Sequence, residues 1–223
     1  MAAHRPRWND SIAFALQLSV RVPALKKKVR QGKSQEVRIN SGTLRGRKLA
    51  FPDIEGLRPT LGRTRETLFN WLRPTLPDAR CLDLFAGSGV LGLEAASIGA
   101  GEVVFVENHD AVAKHIETAL ESFHLSTRCS LHSGDALSFL SRPLAPFDFV
   151  FIDPPFANTQ LLTNAVTLLV ERNLVQQAMY LEFEQQQEAA VEALMQRRGL
   201  QQLRSTKAGN TRSWLIAPSL TQG

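Results

Sequence analysis

Residues 81–96 read CLDLFAGSGVLGLEAA, and this stretch decides the fold. Its first residues are a short apolar run of the kind that forms a buried strand, and its last are an apolar, alanine-rich run at helical spacing. Between them Gly87, Gly89 and Gly92 stand in the spacing G-x-G-x-x-G. Glycine at such a turn permits positive φ and leaves no Cβ in the way, so a ligand can approach the backbone, while the helix start beyond offers unpaired amides. Three glycines at about 7% usage match this spacing by accident in roughly one chain in a dozen of this size. The position between a strand and a helix is what gives the match its value.

Downstream, apolar runs alternate with amphipathic segments, the pattern of a parallel sheet covered by helices. Strands are expected at 80–85, 103–107, 128–132, 147–152 and 178–183, and helices near 89–98, 110–123, 159–171 and 187–198. The segment LQQLRSTKAGNTRSWLIAP turns at Gly209-Asn210, so two more strands close the sheet as an antiparallel hairpin. The fold class is therefore α/β, a doubly wound Rossmann-like seven-stranded sheet over residues 76–218. Glu182 and Glu184 read as two faces of one strand without a function.

Upstream, VRINSGTLRGRKLAF at 37–51 reads as two short strands around Ser41-Gly42. Beyond the turn residues Pro52, Gly56 and Pro59, Arg63 to Leu72 places Leu68, Trp71 and Leu72 at helical spacing, and Pro74 ends the helix. A small basic hairpin and helix thus occupy 37–75. Residues 1–36 mix Arg, Lys, Pro and Gly around a broken apolar stretch and are expected to form a disordered basic extension.

The 223 residues carry a net charge of +5, unevenly. Residues 1–73 hold 16 Lys/Arg against 5 Asp/Glu, a net of +11, and residues 74–223 hold 10 against 16, a net of −6. A cationic arm on an acidic body is the footprint of a polyanionic partner, RNA or DNA first. No run approaches the roughly 18 apolar residues of a membrane span. Cys81 and Cys129 fall in strand segments and are too few for a disulfide framework or a paired zinc motif, so a reducing cytoplasm fits and no metal site is expected.

Glu107 ends the second strand of the body, twenty residues after Gly87, where a carboxylate can take both hydroxyls of a ribose. Asp135, in SGDA after the third strand, is placed to reach an adenine amine. These features serve NAD or S-adenosylmethionine alike. Asp83 tilts the choice to S-adenosylmethionine, because a carboxylate there repels a pyrophosphate but can hold the amino group of a methionine moiety. After the fourth strand comes Asp153-Pro154-Pro155-Phe156, a string expected by chance in about one such chain per thousand. These residues suit a planar amine whose lone pair is delocalised into its ring. Asp153 and the Pro154 carbonyl would take its two N–H groups and aim the lone pair at a sulfonium methyl, and Phe156 would stack on the base. An NAD-dependent oxidoreductase would leave this string unexplained, a DNA adenine or other nucleobase amino-methyltransferase could share it, and a non-catalytic RNA-binding module would transfer no methyl group.

Taken together, RINSGTLRGRKLAFP, GLRPTLGRTRETLFNWL, CLDLFAGSGVLGLEAASIGA and FVFIDPPF resemble the RsmD family, class I methyltransferases, in order over residues 37–217. The resemblance implies methyl transfer from S-adenosylmethionine to the exocyclic N2 amine of one guanine, position 966 in the standard numbering, of bacterial 16S ribosomal RNA. It implies a partner that is 16S rRNA, free or within the small subunit; the composition gives no expectation of a membrane partner, and with nothing in the sequence that specifies a dimer a monomer is expected. It places Asp83, Phe85, Ala86, Gly87, Ser88, Gly89, Glu107, Asn108, Asp135 and Ala136 around the cofactor and Asp153, Pro154 and Phe156 on the guanine. Arg38, Arg45, Arg47, Lys48, Arg58, Arg63 and Arg65 would meet RNA. Two departures stand out: Gly62 occupies the position where the family pattern has Asp, weakening the cap of the following helix, and residues 1–36 have no counterpart.

Overall fold

The computed structural model describes residues 29–54, 61–155 and 158–219. Strands β1 (Val29–Arg38) and β2 (Lys48–Ile54) pair antiparallel, with Val37 opposite Leu49 and Arg38 opposite Lys48. Helix α1 (Gly62–Leu72) leads into the body, where β3 (Arg80–Asp83), β4 (Glu102–Glu107), β5 (Cys129–Ser133), β6 (Phe147–Ile152), β7 (Val175–Glu184), β8 (Leu200–Ala208) and β9 (Thr211–Pro218) form one sheet. Its order is β5-β4-β3-β6-β7-β9-β8. The first five run parallel, and β9 pairs antiparallel with both β7 and β8. This is the Rossmann-like class I arrangement expected from the sequence, including the closing antiparallel hairpin.

Helices α2 (Val90–Ile98), α3 (Asp110–Ser122), α4 (Ala136–Leu140), α5 (Thr159–Glu171) and α6 (Glu188–Arg198) cover the sheet. The alternation of the strands divides the core. Cys81, Phe105, Phe149, Phe151, Ala178, Tyr180 and Leu215 share one apolar cluster with the arm, α1, α2 and α3. Leu82, Val104, Val150, Ile152, Met179, Leu181 and Ile216 share the other with α4, α5 and α6. Residues i and i+2 of a strand point to one face, so Tyr180, Glu182 and Glu184 belong to the arm-side face. The expectation that Glu182 and Glu184 lie on two faces is thus corrected. Both cysteines are buried free thiols, and no described helix is long and apolar enough to cross a membrane.

The arm differs from expectation in three ways. Strand β1 begins at Val29, eight residues inside the stretch assigned to a disordered extension, because β2 supplies pairing as far as Ile54. The link between the strands is longer than a Ser41-Gly42 turn. It runs over 39–47, closed by Gly46 N–H donating to Ile39 O and Ile39 N–H donating to Arg47 O, with a 3-10 turn at Gly42–Leu44. In α1 the buried stripe is Thr64, Arg65, Leu68, Phe69 and Leu72, while Trp71 is only half-buried. Gly62 is the first helical residue and Leu61 the cap residue, with no side-chain cap.

The long link docks on α2. Glu94 accepts from the amides of Asn40 (2.7 Å) and Ser41 (3.1 Å), Ser97 Oγ accepts from the Leu44 amide (2.8 Å), and Thr43 Oγ1 donates to Ser97 O (3.3 Å). Gly42, at φ +76°, sits so close that a Cβ there would lie 1.9 Å from Ser97 O. Gly46 has a similar φ of +83°, yet a Cβ there would meet nothing within 4 Å. Replacement of Gly42 by Ala is therefore expected to destabilise the protein by roughly 1–3 kcal/mol through overpacking, on top of the backbone strain that Gly46→Ala alone would report. Urea denaturation of both variants checks this, and equal losses would mean that strain, not the α2 contact, sets the cost.

Candidate active site

The order of strands reverses between β3 and β6, which are hydrogen-bonded neighbours. Ligands of open α/β sheets bind outside the carboxyl ends of strands at such a switch point. The glycine turn leaves β3 there, and Asp153-Pro154-Pro155 leaves β6 beside it. The two strings singled out in the sequence are thus neighbours in space.

The turn is held by carboxylates. Asp83 Oδ2 accepts from the Gly92 amide (2.9 Å), tying the end of β3 to the first turn of α2. Glu107 takes two amides, Gly87 N–H on Oε2 (2.8 Å) and His109 N–H on Oε1 (2.8 Å). The Ala86 amide donates to Val106 O (2.9 Å), which fastens the turn to β4. Gly87 and Gly89 both have positive φ, 52° and 78°. Gly92 is required by packing instead, because a Cβ there would lie 2.2 Å from the ring of Phe105. Among the other residues expected around a cofactor, Ala86, Ser88 and Ala136 are buried, Phe85 and Gly87 half-buried, and Asn108 exposed.

Asp135 lies on the same rim, since Gly134 N–H donates to Glu107 O (2.8 Å) and joins the end of β5 to that of β4. Its Oδ1 caps α4, accepting from the Ser138 amide (2.8 Å). Pro154 is buried and Asp153 half-buried, while Asn158 caps α5 by accepting from Leu161 N–H (2.9 Å). Phe156 and Arg58 lie outside the described residues.

Among the expected RNA contacts, Arg38, Arg45, Arg47 and Arg63 are exposed. Arg47 leans over the Phe123 ring at 5.4 Å, and Lys48 is exposed but bridges to Glu36 across the hairpin (2.9 Å). Arg65 is different. Its side chain is 3% exposed, its Nη2 donates to Arg38 O (2.8 Å), and its Nε faces Glu94 Oε1 at 3.6 Å. A guanidinium enclosed in this way cannot meet a phosphate, so Arg65 leaves the set of RNA contacts. Position 65 sits on the helical stripe of Leu68 and Leu72, which is the sequence signal that was passed over.

Electrostatically, this end of the sheet is acidic: Asp83, Glu107 and Glu182 are buried near the ends of β3, β4 and β7, and Asp153 follows β6. Burial pushes the Asp83 carboxyl up to about 7, the neighbouring charge of Glu107 adds to the rise, and the Gly92 amide opposes it. The site so built fits a ligand that carries positive charge and presents hydroxyls to Glu107, and it disfavours a pyrophosphate at Asp83.

Fold and site together define a class I methyltransferase domain. Residues 37–217 match the model of the family described as conserved hypothetical protein 95. Over 143 residues, 64% of this chain and 71% of the relative, the chain is 46% identical to Ribosomal RNA small subunit methyltransferase D of Escherichia coli. Over 141 residues, 62% of this chain and 72% of the relative, it is 45% identical to the protein of the same name from Haemophilus influenzae. The solved structure of the Escherichia coli protein yhhF aligns with a TM-score of 0.71 at 34% identity, covering 83% of this chain and 99% of that one. The chain belongs to this family, the RsmD family of methyltransferases.

The raised Asp83 pKa gives a signed expectation. The folded carboxyl holds a proton between 3.8 and about 7 that the unfolded chain releases, so the ligand-free protein loses stability as pH rises through that window. Asp83→Asn cannot ionise and should flatten that part of the Tm profile, measured by calorimetry from about pH 4 to 8. The same slope in parent and variant would show that the folded carboxyl titrates in the ordinary range.

Proposed function

We propose that the protein transfers a methyl group from S-adenosylmethionine to the exocyclic N2 amine of a guanine in small-subunit ribosomal RNA of the bacterial cytoplasm. The observation that carries this reading is the emergence of Asp153-Pro154 at the end of β6, hydrogen-bonded neighbour of β3 and its glycine turn. The names of the relatives, small-subunit rRNA methyltransferases, support the substrate class.

Bound at the glycine turn, S-adenosylmethionine would supply an electrophilic methyl on a cationic sulfur. The residues present fit it. The glycines let the backbone approach, Glu107, which holds the Gly87 and His109 amides, would meet the ribose hydroxyls, and Asp83 would hold the positive amino group of the methionine part. Asp135 offers its second oxygen to the adenine amine. Phe85, Ser88, Asn108 and Ala136 complete the surround.

A guanine amine is a poor nucleophile because its lone pair is delocalised into the ring. Asp153 accepts one N–H and the Pro154 carbonyl the other, which turns the lone pair toward the methyl group and favours pyramidal nitrogen. The consecutive prolines fix that carbonyl, because each ring locks its φ. Phe156 is the residue that would stack on the base. Methylation would leave a surplus proton on the amine, and the Asp153 carboxylate would take it and pass it to solvent. Arg38, Arg45, Arg47, Lys48, Arg58 and Arg63 track the phosphates.

Asp153→Ala is expected to lower kcat by roughly 100-fold or more while cofactor affinity stays within a few-fold, since the carboxylate meets the amine and not the adenosine. Incorporation of labelled methyl into small-subunit rRNA and calorimetry separate the two quantities, and near-normal turnover would overturn the assignment. On the RNA side, Arg45→Ala, Arg47→Ala and Arg63→Ala should each reduce the slope of log K against log salt by about one unit and leave cofactor affinity unchanged. Slopes identical to that of the parent protein would place the RNA surface elsewhere.

A further inference from the structure

The acidic body is not acidic throughout. Residues 200–218 hold three of its ten Lys/Arg, at Arg204, Lys207 and Arg212, and none of its 16 acids. They form the β8–β9 hairpin, in which β8 is the edge strand of the sheet. Of the nine residues of β8 only Leu200 is buried. Arg204 and Lys207 are exposed, and among the described residues neither forms an ion pair. An edge strand can carry such charges merely to deter pairing with another chain. That role is indifferent to where along the strand they sit, whereas here they run from its middle to one end.

The register shows that this end is the one at which the candidate active site lies. Because β9 runs antiparallel to β7, its first residue, Thr211, stands opposite Glu184, the last residue of β7. Leu181, three residues earlier, is the partner of Ile152, after which the chain leaves β6 as Asp153-Pro154. At about 3.3 Å per residue the Gly209-Asn210 turn therefore stands roughly 10 Å beyond the end of β6, and at about 4.8 Å per strand β8 lies roughly 14 Å to its side. The turn is held firmly. Gln185 N–H donates to Asn210 O (2.8 Å), and Arg212 donates from Nη1 to Gly209 O (3.3 Å) and from Nε to Glu188 of α6 (3.1 Å). A Cβ on Gly209 would meet nothing within 4 Å, so the turn faces open space. Lys207 is the in-register partner of Arg212, and like charges directly opposite in a sheet repel. Since Arg212 engages Glu188, the fold gives Lys207 no counter-charge.

We propose that the β8–β9 tip, through Lys207 and Arg204, is a second phosphate-contacting surface that holds the RNA strand on the side of the target base away from the arm. This rests on the methyl-transfer reading above. The arm docks on α2 and, through Arg47 over Phe123, on the end of α3, the helices that link β3, β4 and β5. The hairpin lies beyond β7, so β6 and its Asp153-Pro154 turn stand between the two basic groups. A base drawn out of its stack has a phosphate on either side, and contacts on one flank leave the other free to swing. Arg204 stands opposite Leu215, on the face that carries the arm, and Lys207 opposite Arg212, on the face of α6. The pair thus straddles the edge of β8. The roughly 14 Å from β6 to that edge spans about four nucleotides at 3.4 Å each.

The experiment compares Lys207→Gln, Arg204→Gln and the double variant with the full-length parent, using small-subunit rRNA as the probe. Each single variant is expected to lower the slope of log K against log salt by about 0.7 to 0.9, and the double variant by about twice that. In labelled methyl transfer at low salt, KM for RNA in the double variant should rise about three- to ten-fold. Its kcat and its Kd for S-adenosylmethionine should stay within about two-fold of the parent's, since neither side chain reaches the amine or the cofactor. Arg197→Gln, which removes an exposed cation from the last turn of α6, is the control and should leave the slope unchanged. A double variant with the parent's slope overturns the inference. So does an equal loss in Arg197→Gln, which would make the effect one of net charge, and so does a change confined to aggregation or Tm, which would leave only edge protection. A parent protein that binds S-adenosylmethionine but neither binds nor methylates the rRNA would instead remove the reading on which the inference rests, and the inference with it.

Discussion

A positive charge that cannot reach water organises this molecule. The Arg65 guanidinium is buried in the interface between α1, the arm and the sheet, and a charge in that setting must be met by carboxylates and carbonyls or its burial costs several kcal/mol. Arg38 offers a carbonyl from β1, Glu94 a carboxylate from α2, and Glu182 its field from β7. Even so, burial outweighs the pairing, pulling the arginine below its ordinary pKa and pushing Glu94 above that of a free carboxylate. The ion pair does not fasten the arm by itself. Val37, Ile39, Leu49 and Phe51 of the hairpin share one apolar cluster with the sheet, and Phe69 of α1 meets Phe151 of β6 edge to face at 5.9 Å. What the charges add is direction: an apolar interface could slide, whereas Glu94, accepting two arm amides and facing Arg65, fixes one register.

Most of the body was legible because burial writes itself into strands as apolar runs. FDFVFI and EVVFVE have no alternative partner environment, and both become strands buried along most of their length. Helix α4 was missed, since five residues capped by one aspartate make barely more than a turn and leave no periodicity to detect. The polar start of β7, Val175-Gln176-Gln177, was missed for the opposite reason: pairing with β6 continues through residues that have no apolar signature. The arm's inner end at Val29 could not be read because a β-strand of Arg, Gln, Gly, Lys and Ser is specified by its partner strand and not by its own composition.

At the site, the residue types were legible and their second tasks were not. Asp83, Glu107 and Asp135 stand where spacing put them, at the ends of β3, β4 and β5, but each also accepts backbone amides of its own chain. These bonds set the glycine turn and the start of α4. A sequence shows which side chains could meet a ligand, while amides are anonymous in it. The same blindness explains Arg65. Arginine reads as surface in a one-dimensional scan, and only its phase with Leu68 and Leu72 revealed that it points inward.

The charge distribution now acquires a mechanical meaning. An acidic body with buried carboxylates at the ends of β3, β4 and β7 disfavours phosphates there. On the proposed reading, therefore, the nucleic acid backbone cannot enter the site, and only a base, uncharged and planar, can. Bringing one base out of its stack costs a few kcal/mol. That cost falls on whatever holds the flanking phosphates, and the exposed arginines at 38, 45, 47 and 63 are the groups placed to do so. On the same reading, these acids would favour a cationic cofactor over its product, so each transfer would weaken the hold on what remains in the site. On the proposed reading, separation of the positive arm from the negative body would let one chain bind a polyanion and a cation side by side, provided the two parts stay rigidly joined. The shared apolar cluster joins them, and the buried Arg65–Glu94 contact sets the register.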